Sequence, residues 1–423
     1  MSDRTKISPT EVFFLSFGGQ SPFISLIAFG TEMILYVGTD SGFAMMVTTL
    51  LVMANASVIY SLSKRFTKGG GYYTYALHAL TSDLGITTGW MYILYSLSYG
   101  GTLMLGGVYV LEQLTGIDPL LLSLLVTIIA SAIVIGGVKL SARYAVAVGI
   151  LEIIAILGLS FYFLFLSGFK FYNPIPSKLP ENLPEAILFG IGIPSGYSSV
   201  VSFPEEIQNA AKTVSRTSIL VPLLGGGLAS LFFYSLAAMN FQGNMVSLLL
   251  SLFGTVGGIF IAAIAMSDAV LGGIAYLLAG SRTLFNMAKN QHFTSLFSIE
   301  YKGQPKVAEV IVSIFVVLTS FFLVRYFGIF TSLGLIAGIA GLSNLYIHMA
   351  ASVSLARMGR RKPRKHVHEI VFSVFSLVLS SWILFVSFGQ LEKYVVYFFL
   401  GWIILGFLLA ESLEMLREEE SGK

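Results

Sequence analysis

Three carboxylic acids, Glu32, Glu152 and Asp268, stand inside long apolar stretches of the sequence. An ionisable side chain at bilayer depth is energetically expensive and marks a functional site by default. Because low dielectric disfavours the charged form of a carboxyl group, such a residue readily binds a proton or a balancing cation. We therefore expect Glu152 and Asp268 to bind an ion, the alternative being carboxyls that only hydrogen-bond a neighbouring helix. Glu32 fits both a gate and a residue that lines an outer vestibule.

Two of the apolar stretches carry glycine and proline near the middle. The first reads Gly18-Gly19-Gln20-Ser21-Pro22, and the sixth reads Gly190-Ile191-Gly192-Ile193-Pro194-Ser195-Gly196. Proline removes a backbone hydrogen bond inside a helix, and adjacent glycines lower its helix propensity. Unpaired backbone groups are tolerated at membrane depth only where they face protein or a wet cavity. These patterns predict two broken helices beside a cavity, although each alone could be a simple kink.

The spacing of the two breaks indicates where a ligand binds. They lie five spans apart, and a second set of five helices enters the membrane from the opposite side, which is the signature of an inverted repeat. Half-helix N-termini attract an anion, and half-helix C-termini offer carbonyl oxygens to an amine or a metal cation, so one site can hold a zwitterion. The predicted substrate-binding residues are Gly18, Gly19, Gln20, Ser21, Ile193, Pro194, Ser195, Gly196 and Tyr197.

The composition places these residues in a membrane protein. Of the 423 residues, 55% are hydrophobic and only 11% are charged, whereas soluble domains are about 25% charged. Whole stretches are apolar rather than alternating, which excludes a β-barrel and predicts an all-α membrane protein. The twelve predicted spans lie near 13–37, 42–62, 86–111, 119–138, 144–168, 184–203, 217–240, 255–284, 307–324, 329–354, 368–388 and 394–413.

The basic residues predict the orientation of these spans. With both termini in the cytoplasm, the outer loops hold only four of the 25 Lys and Arg residues, namely Lys170, Lys178, Arg325 and Lys393. Cytoplasmic loops carry an excess of Lys and Arg, so this split supports both the even number of spans and the cytoplasmic termini. The basic run 357–365 follows a span directly, which favours an anchor to lipid headgroups over a nucleic-acid site.

Other function classes find no support in the sequence. No GxxxxGK[ST] phosphate loop, no HExxH motif and no arguable Ser/His/Asp set occurs, and the chain has no cysteine. We therefore expect a carrier driven by gradients, with no enzymatic activity, no cofactor and no nucleic-acid partner. A channel would not need two matched broken helices, and a membrane sensor would usually carry a soluble output domain.

Five stretches together resemble the amino acid–polyamine–organocation transporters, which have the leucine-transporter-type fold. Their order and spacing run from about residue 10 to 355. They are 65–75 (RFTKGGGYYTY) with 89–92 (GWMY), 137–143 (GVKLSAR), 196–216 with its PEEIQN segment, 280–288 (GSRTLFNMA) and 305–308 (PKVA). The sequence departs from the family pattern at 18–22, at Ser198 in place of a frequent Glu, and at Ala210 in place of Pro.

The resemblance implies a transport core at residues 1–354, built from inverted repeats at about 10–168 and 184–354. Residues 355–423 would hold the basic loop, helices 11 and 12 and a short cytoplasmic tail. It also implies alternating access around a central amino acid site in the cell membrane. The segment containing Glu205 and Glu206 would lie on the cytoplasmic side, either as a solvated cluster that assists a gate or as a direct participant in transport.

Similar folds bind a cation where helices 1, 5 and 8 meet, which is where the resemblance places Glu152 and Asp268. Two interpretations remain: a proton site, which we favour, and a sodium site formed by Ser267, Asp268 and helix 1 carbonyls. No extra acid stands at either break, which favours a neutral amino acid over a cationic one. The transport mode also stays open, since exchange of amino acids or polyamines is an alternative to uptake. The oligomeric state, monomer or homodimer, stays open as well. His348 could relay protons, but a packed, hydrogen-bonded histidine is the commoner case.

Overall fold

The computed structural model describes residues 6–360, 364 and 366–421, and within this part the chain is almost entirely helical. Two isolated β-bridges, Ile7 with Ile207 and Tyr301 with Gln304, are the only extended pairings among these residues. Ten helical stretches are long and apolar enough to cross a membrane, by length and composition. The predicted all-α membrane fold is therefore confirmed.

The first half of the chain begins with the broken first span. Here α1 starts with a capping box, in which the Ser8 backbone N donates to Glu11 Oε2 at 2.7 Å and Pro9 occupies the first helical position. Asp118 caps the start of α6, where its Oδ1 accepts a hydrogen bond from the Leu120 N at 2.7 Å. The helices are α1 (Pro9–Gly18), α2 (Pro22–Val37), α3 (Ser41–Ser63), α4 (Tyr72–Ala79), α5 (Ser82–Thr115), α6 (Pro119–Gly136) and α7 (Val138–Leu166).

The second half begins with the broken sixth span. Its helix stops at Gly190, and the chain continues through three short 3₁₀ turns between Ser195 and Glu206. A kink at Gly254, whose φ is 59°, divides α10. The helices are α8 (Leu183–Gly190), α9 (Ala210–Ala238), α10 (Met245–Lys289), α11 (Lys306–Phe327), α12 (Ile329–Gly359), α13 (Val367–Ser387) and α14 (Lys393–Ser421).

Helices at equivalent places in the two halves pack against each other. The contacting pairs are α2 with α8, α3 with α9, α5 with α10, and α6 with α11. This is the arrangement expected of two inverted repeats around a shared site. The central helix of the bundle is α5, which is almost completely buried and also contacts α12, while α13 and α14 lie outside against α12, α3 and α5.

Three elements differ from the sequence-based prediction. The link after α3 contains a short helix, α4, and Met245–Gly254 forms a helical segment before the eighth span. The second half of the sixth span forms 3₁₀ turns instead of a helix, because it is rich in serine and ends at Pro204. Serine side chains compete for backbone hydrogen bonds, and proline removes a donor.

Candidate functional site

The first break lies between α1 and α2 and is completely buried. Tight turns close it, with the Gln20 N donating to the Phe17 O at 3.1 Å and the Ser21 N to the Gly18 O at 2.9 Å. Ser21 has a φ of 42°, in the left-handed region that is costly for a residue with a side chain. Pro22 has no N–H and fits the first position of α2. The break therefore turns the first residues of α2 toward the bundle interior.

The second break is held by tyrosine hydroxyls from neighbouring helices. The Tyr276 hydroxyl donates to the Ser195 O at 2.8 Å, and the Tyr92 hydroxyl donates to the Ser198 O at 2.6 Å. Tyr99 likewise donates to the Gly192 O. These tyrosines come from α5 and α10, so the interrupted backbone faces protein hydroxyls, as an irregular segment at membrane depth requires.

The two breaks are in direct contact. The Ser16 hydroxyl donates to the Gly196 O at 3.3 Å. A Cβ added at Gly196 would lie 2.5 Å from the Gln20 N, and one added at Gly19 would lie 3.0 Å from the Ser199 Oγ. The structure thus brings the predicted substrate-binding residues of both breaks together, and only glycine allows this approach of the backbones.

Gln20 carries an unpartnered polar group at the first break. Its side chain is 1% exposed, and neither amide atom has a hydrogen-bond partner among the described residues. It lies against Gly225 of α9 and lines a cavity of about 10 Å³ together with Ile193. The other residues that line this cavity are apolar or glycine, so the Gln20 amide is its polar side chain.

Glu152 of α7 and Asp268 of α10 form a buried carboxyl pair at the start of α2. Asp268 Oδ2 accepts a hydrogen bond from the Ile24 N at 2.6 Å, and its backbone O accepts one from the Ser21 hydroxyl at 2.9 Å. Asp268 is the acidic side chain that interacts with Glu152. No donor reaches the Asp268 Oδ1 or either Glu152 oxygen from the described residues. Unsatisfied buried oxygens of this kind call for a proton or a cation.

Ser267 precedes Asp268 on α10, and its backbone carbonyl accepts a hydrogen bond from the Tyr144 hydroxyl of α7 at 2.8 Å. Gly272 of α10 leaves room for the Ser21 side chain, because a Cβ added at Gly272 would overlap the Ser21 Oγ. The predicted ion-coupling residues therefore meet the first break at one place, where α2, α7 and α10 converge.

His348 of α12 joins two tyrosines on the other side of the second break. Its Nε2 lies 2.6 Å from the Tyr197 hydroxyl and 3.0 Å from the Tyr72 hydroxyl. Its Nδ1 lies 2.9 Å from the Asn344 O and must carry the proton there, because a carbonyl only accepts. His348 is thus hydrogen-bonded on both sides, and it ties α4 and α12 to Tyr197.

An ion-pair network joins the 3₁₀ turns to α10 and α11 at the end of the molecule that carries α4, beside a cavity of about 960 Å³. Arg282 contacts Glu206 at 2.9 Å and Glu309 at 2.6 Å, and Lys306 contacts Glu309 at 2.9 Å. Arg282 and Glu309 are buried. Glu205 accepts from the Gly69 N at 3.3 Å. Glu206 is buried in this network rather than solvated, while Glu205 is exposed, and both roles considered for the 205–206 segment stay predictions.

Sequence reasoning missed Glu309 and the tyrosines that cap the second break. Glu309 gave one signal, its place three residues after Lys306 at the start of an apolar span. The tyrosines gave none, because a buried aromatic residue in a membrane helix is ordinarily packing or interface material.

Comparisons with known proteins agree with this architecture. The family described as "Amino acid permease" matches residues 12–403. A protein of Methanocaldococcus jannaschii described as a "putative amino-acid transporter" is 23% identical over 266 residues. That alignment covers 62% of this chain and 63% of the relative, so the chain matches somewhat under two thirds of the relative's length.

Proposed function

The chain belongs to the amino acid permease family, and from this premise we propose that it carries neutral amino acids across the cell membrane by alternating access, coupled to protons. As a member of that family it is a multi-pass membrane transporter. The proposed core comprises residues 1–354, with repeats at about 10–168 and 184–354, and residues 355–423 lie at its periphery. Both termini are proposed to be cytoplasmic.

The observation that carries proton coupling is the buried carboxyl pair. Three carboxyl oxygens of Glu152 and Asp268 lack a hydrogen-bond donor, and the fourth binds the first turn of α2. Two carboxylates side by side in low dielectric repel each other, whereas one shared proton removes the repulsion and supplies a donor. Because Asp268 also touches the broken first helix, gain or loss of this proton acts directly on the element that moves during alternating access.

Substrate binding is proposed at the contact of the two breaks. The residues are Gly18, Gly19, Gln20, Ser21, Ile193, Pro194, Ser195, Gly196 and Tyr197. Neither break segment carries an acidic or a basic side chain, which supports a neutral substrate over a cationic one such as arginine or a polyamine. The hydroxyl groups of Tyr95, Ser198 and Tyr276 lie within 3.3 Å of one another beside the break and supply uncharged hydrogen-bonding groups.

The test is uptake by the purified full chain in proteoliposomes. We expect saturable uptake of neutral amino acids when the outside is more acidic than the inside, and its loss when a protonophore collapses the gradient. Uptake driven by a sodium gradient at equal pH would contradict proton coupling and would make sodium, bound at Ser267 and Asp268, the coupling ion. Uptake that requires internal amino acid would identify an exchanger, and flux that neither saturates nor follows an imposed gradient would indicate a channel.

A further inference from the structure

Two exposed cations stand at the N-terminal end of α9. Lys212 and Arg216 are four residues apart, so they share one face of the helix. In the part of the chain that the structure describes, neither forms an ion pair with a carboxylate, and the first turn of α9 contains no acidic residue. The positive end of a helix dipole favours anions, so cations here add to the positive potential at this end of α9.

Two surface grooves lie on either side of Arg216. One, of about 430 Å³, runs between α1 and α9 and is lined by Thr10, Phe13, Lys212 and Leu220. The other, of about 560 Å³, runs between α3, α9 and α13 and is lined by Ser61, Leu220 and Phe372. Arg216 and Leu220 belong to both grooves and form the ridge between them.

The acidic residue in the second groove is already neutralised. Glu369 forms an ion pair with Arg65 at 2.7 Å, and His366 Nδ1 lies 3.0 Å from the same carboxylate, so Arg65 already balances the charge of Glu369. The grooves therefore keep a net positive charge, supplied by Lys212 and Arg216. Such charge is complementary to a phosphate group.

Both grooves also carry exposed apolar side chains beside their polar residues. Leu220 is 49% exposed and Phe372 is 44% exposed, and both lie on helices that are long and apolar enough to span a membrane. A ligand that matches both the cations and the apolar side chains has an anionic head group at the end of the span and a hydrocarbon chain along the span. We propose that these grooves bind an anionic phospholipid, with its phosphate on Lys212 and Arg216 and its acyl chains on either side of Leu220.

Lipid binding by the purified full chain tests this site. Native mass spectrometry after delipidation would titrate phosphatidylglycerol and phosphatidylcholine against the parent, the Lys212→Gln/Arg216→Gln double variant and Arg325→Gln. Arg325 is a matched control, since it is an exposed arginine at the end of another span, α11. Each Lys or Arg near an anionic membrane surface contributes about fivefold in affinity, so we expect about a 30-fold loss of phosphatidylglycerol affinity in the double variant.

The other outcomes discriminate as well. Phosphatidylcholine should bind more weakly than phosphatidylglycerol to the parent and equally to parent and double variant, and Arg216→Lys should retain most of the affinity because it keeps the charge. Equal affinity for the two lipids in the parent, or an unchanged double variant, would overturn the site. If glycerol phosphate competed as well as the lipid does, the ligand would be a soluble phosphate and the acyl-chain part of the proposal would be wrong.

Discussion

At the scale of single residues, the proposed proton coupling depends on the carboxyl pair. We expect Glu152→Gln and Asp268→Asn to keep substrate binding and exchange but to lose accumulation against a gradient, because each amide mimics a permanently protonated carboxyl. With one proton per substrate, a difference of one pH unit supports up to about tenfold accumulation. In the variants that ratio should fall to about one, with no dependence on external pH, as measured by uptake and counterflow in proteoliposomes.

Glu112→Gln serves as the control, since Glu112 lies in the last turns of α5 and contacts Gln113 rather than the pair. It should accumulate substrate as the parent does. If both pair variants also accumulate substrate normally, the carboxyls are structural and proton coupling fails. A loss of sodium-stimulated binding in Asp268→Asn alone would assign the site to sodium.

How much of this site the sequence predicts depends on the kind of residue. An acid inside an apolar run stands out, which is why Glu152 and Asp268 could be selected in advance. Their environment could not, because the 2.6 Å bond from the Ile24 N to Asp268 depends on how the break directs the first turn of α2. The Arg282 network was hidden for the same reason, since its partners Glu206 and Glu309 come from separate elements.

At the scale of elements, the contact between the two breaks predicts a strict size limit. A side chain at Gly19 would meet the Ser199 Oγ at 3.0 Å and the Ala275 Cβ at 3.1 Å. Overpacking a tight interior costs about 1–3 kcal/mol, so Gly19→Val, which distorts the proposed site, should weaken substrate binding by about fivefold to 150-fold. Equilibrium binding of labelled substrate to the purified variant would measure this effect.

Gly227→Val is the matched control, because a Cβ at Gly227 of α9 meets nothing within 4 Å. It should bind substrate with the affinity of the parent. Both variants should reach the membrane in similar amounts and elute as monodisperse protein, which separates a local effect from misfolding. Normal affinity in Gly19→Val would remove the first break from the binding site.

The sequence predicts the elements well where a long apolar run defines them and poorly where irregular backbone is used. The span boundaries agree to within several residues for most helices. The short helix α4, by contrast, holds only eight residues, and the segment before it makes tertiary hydrogen bonds such as the Gly70 N to the Ser202 O at 2.9 Å. Both broken helices were predictable as breaks, but not the 3₁₀ path that follows the second one.

At the scale of the whole molecule, one end carries a network of ion pairs and backbone contacts. Three contacts lie at the end that carries the proposed cytoplasmic loops. They are the Arg282 network, the bridge between Ile7 and Ile207, and the contact of Glu205 with Gly69. In an alternating-access cycle these contacts must separate before substrate leaves on that side. The orientation of the chain therefore determines on which side of the membrane these contacts lie.

That orientation rests on the distribution of basic residues, which leaves four of the 25 Lys and Arg in the proposed outer loops. The positive-inside bias makes the inverted arrangement unfavourable, since it would move the basic run 357–365 across the membrane. Because the chain has no native cysteine, single substitutions report cleanly. In intact cells, Asn173→Cys should react with a membrane-impermeant maleimide, whereas Arg360→Cys should react only after permeabilisation. Both positions are exposed in the structure, so unequal labelling reflects sidedness rather than burial. The reverse pattern would invert the topology and make the Arg282 network an extracellular gate.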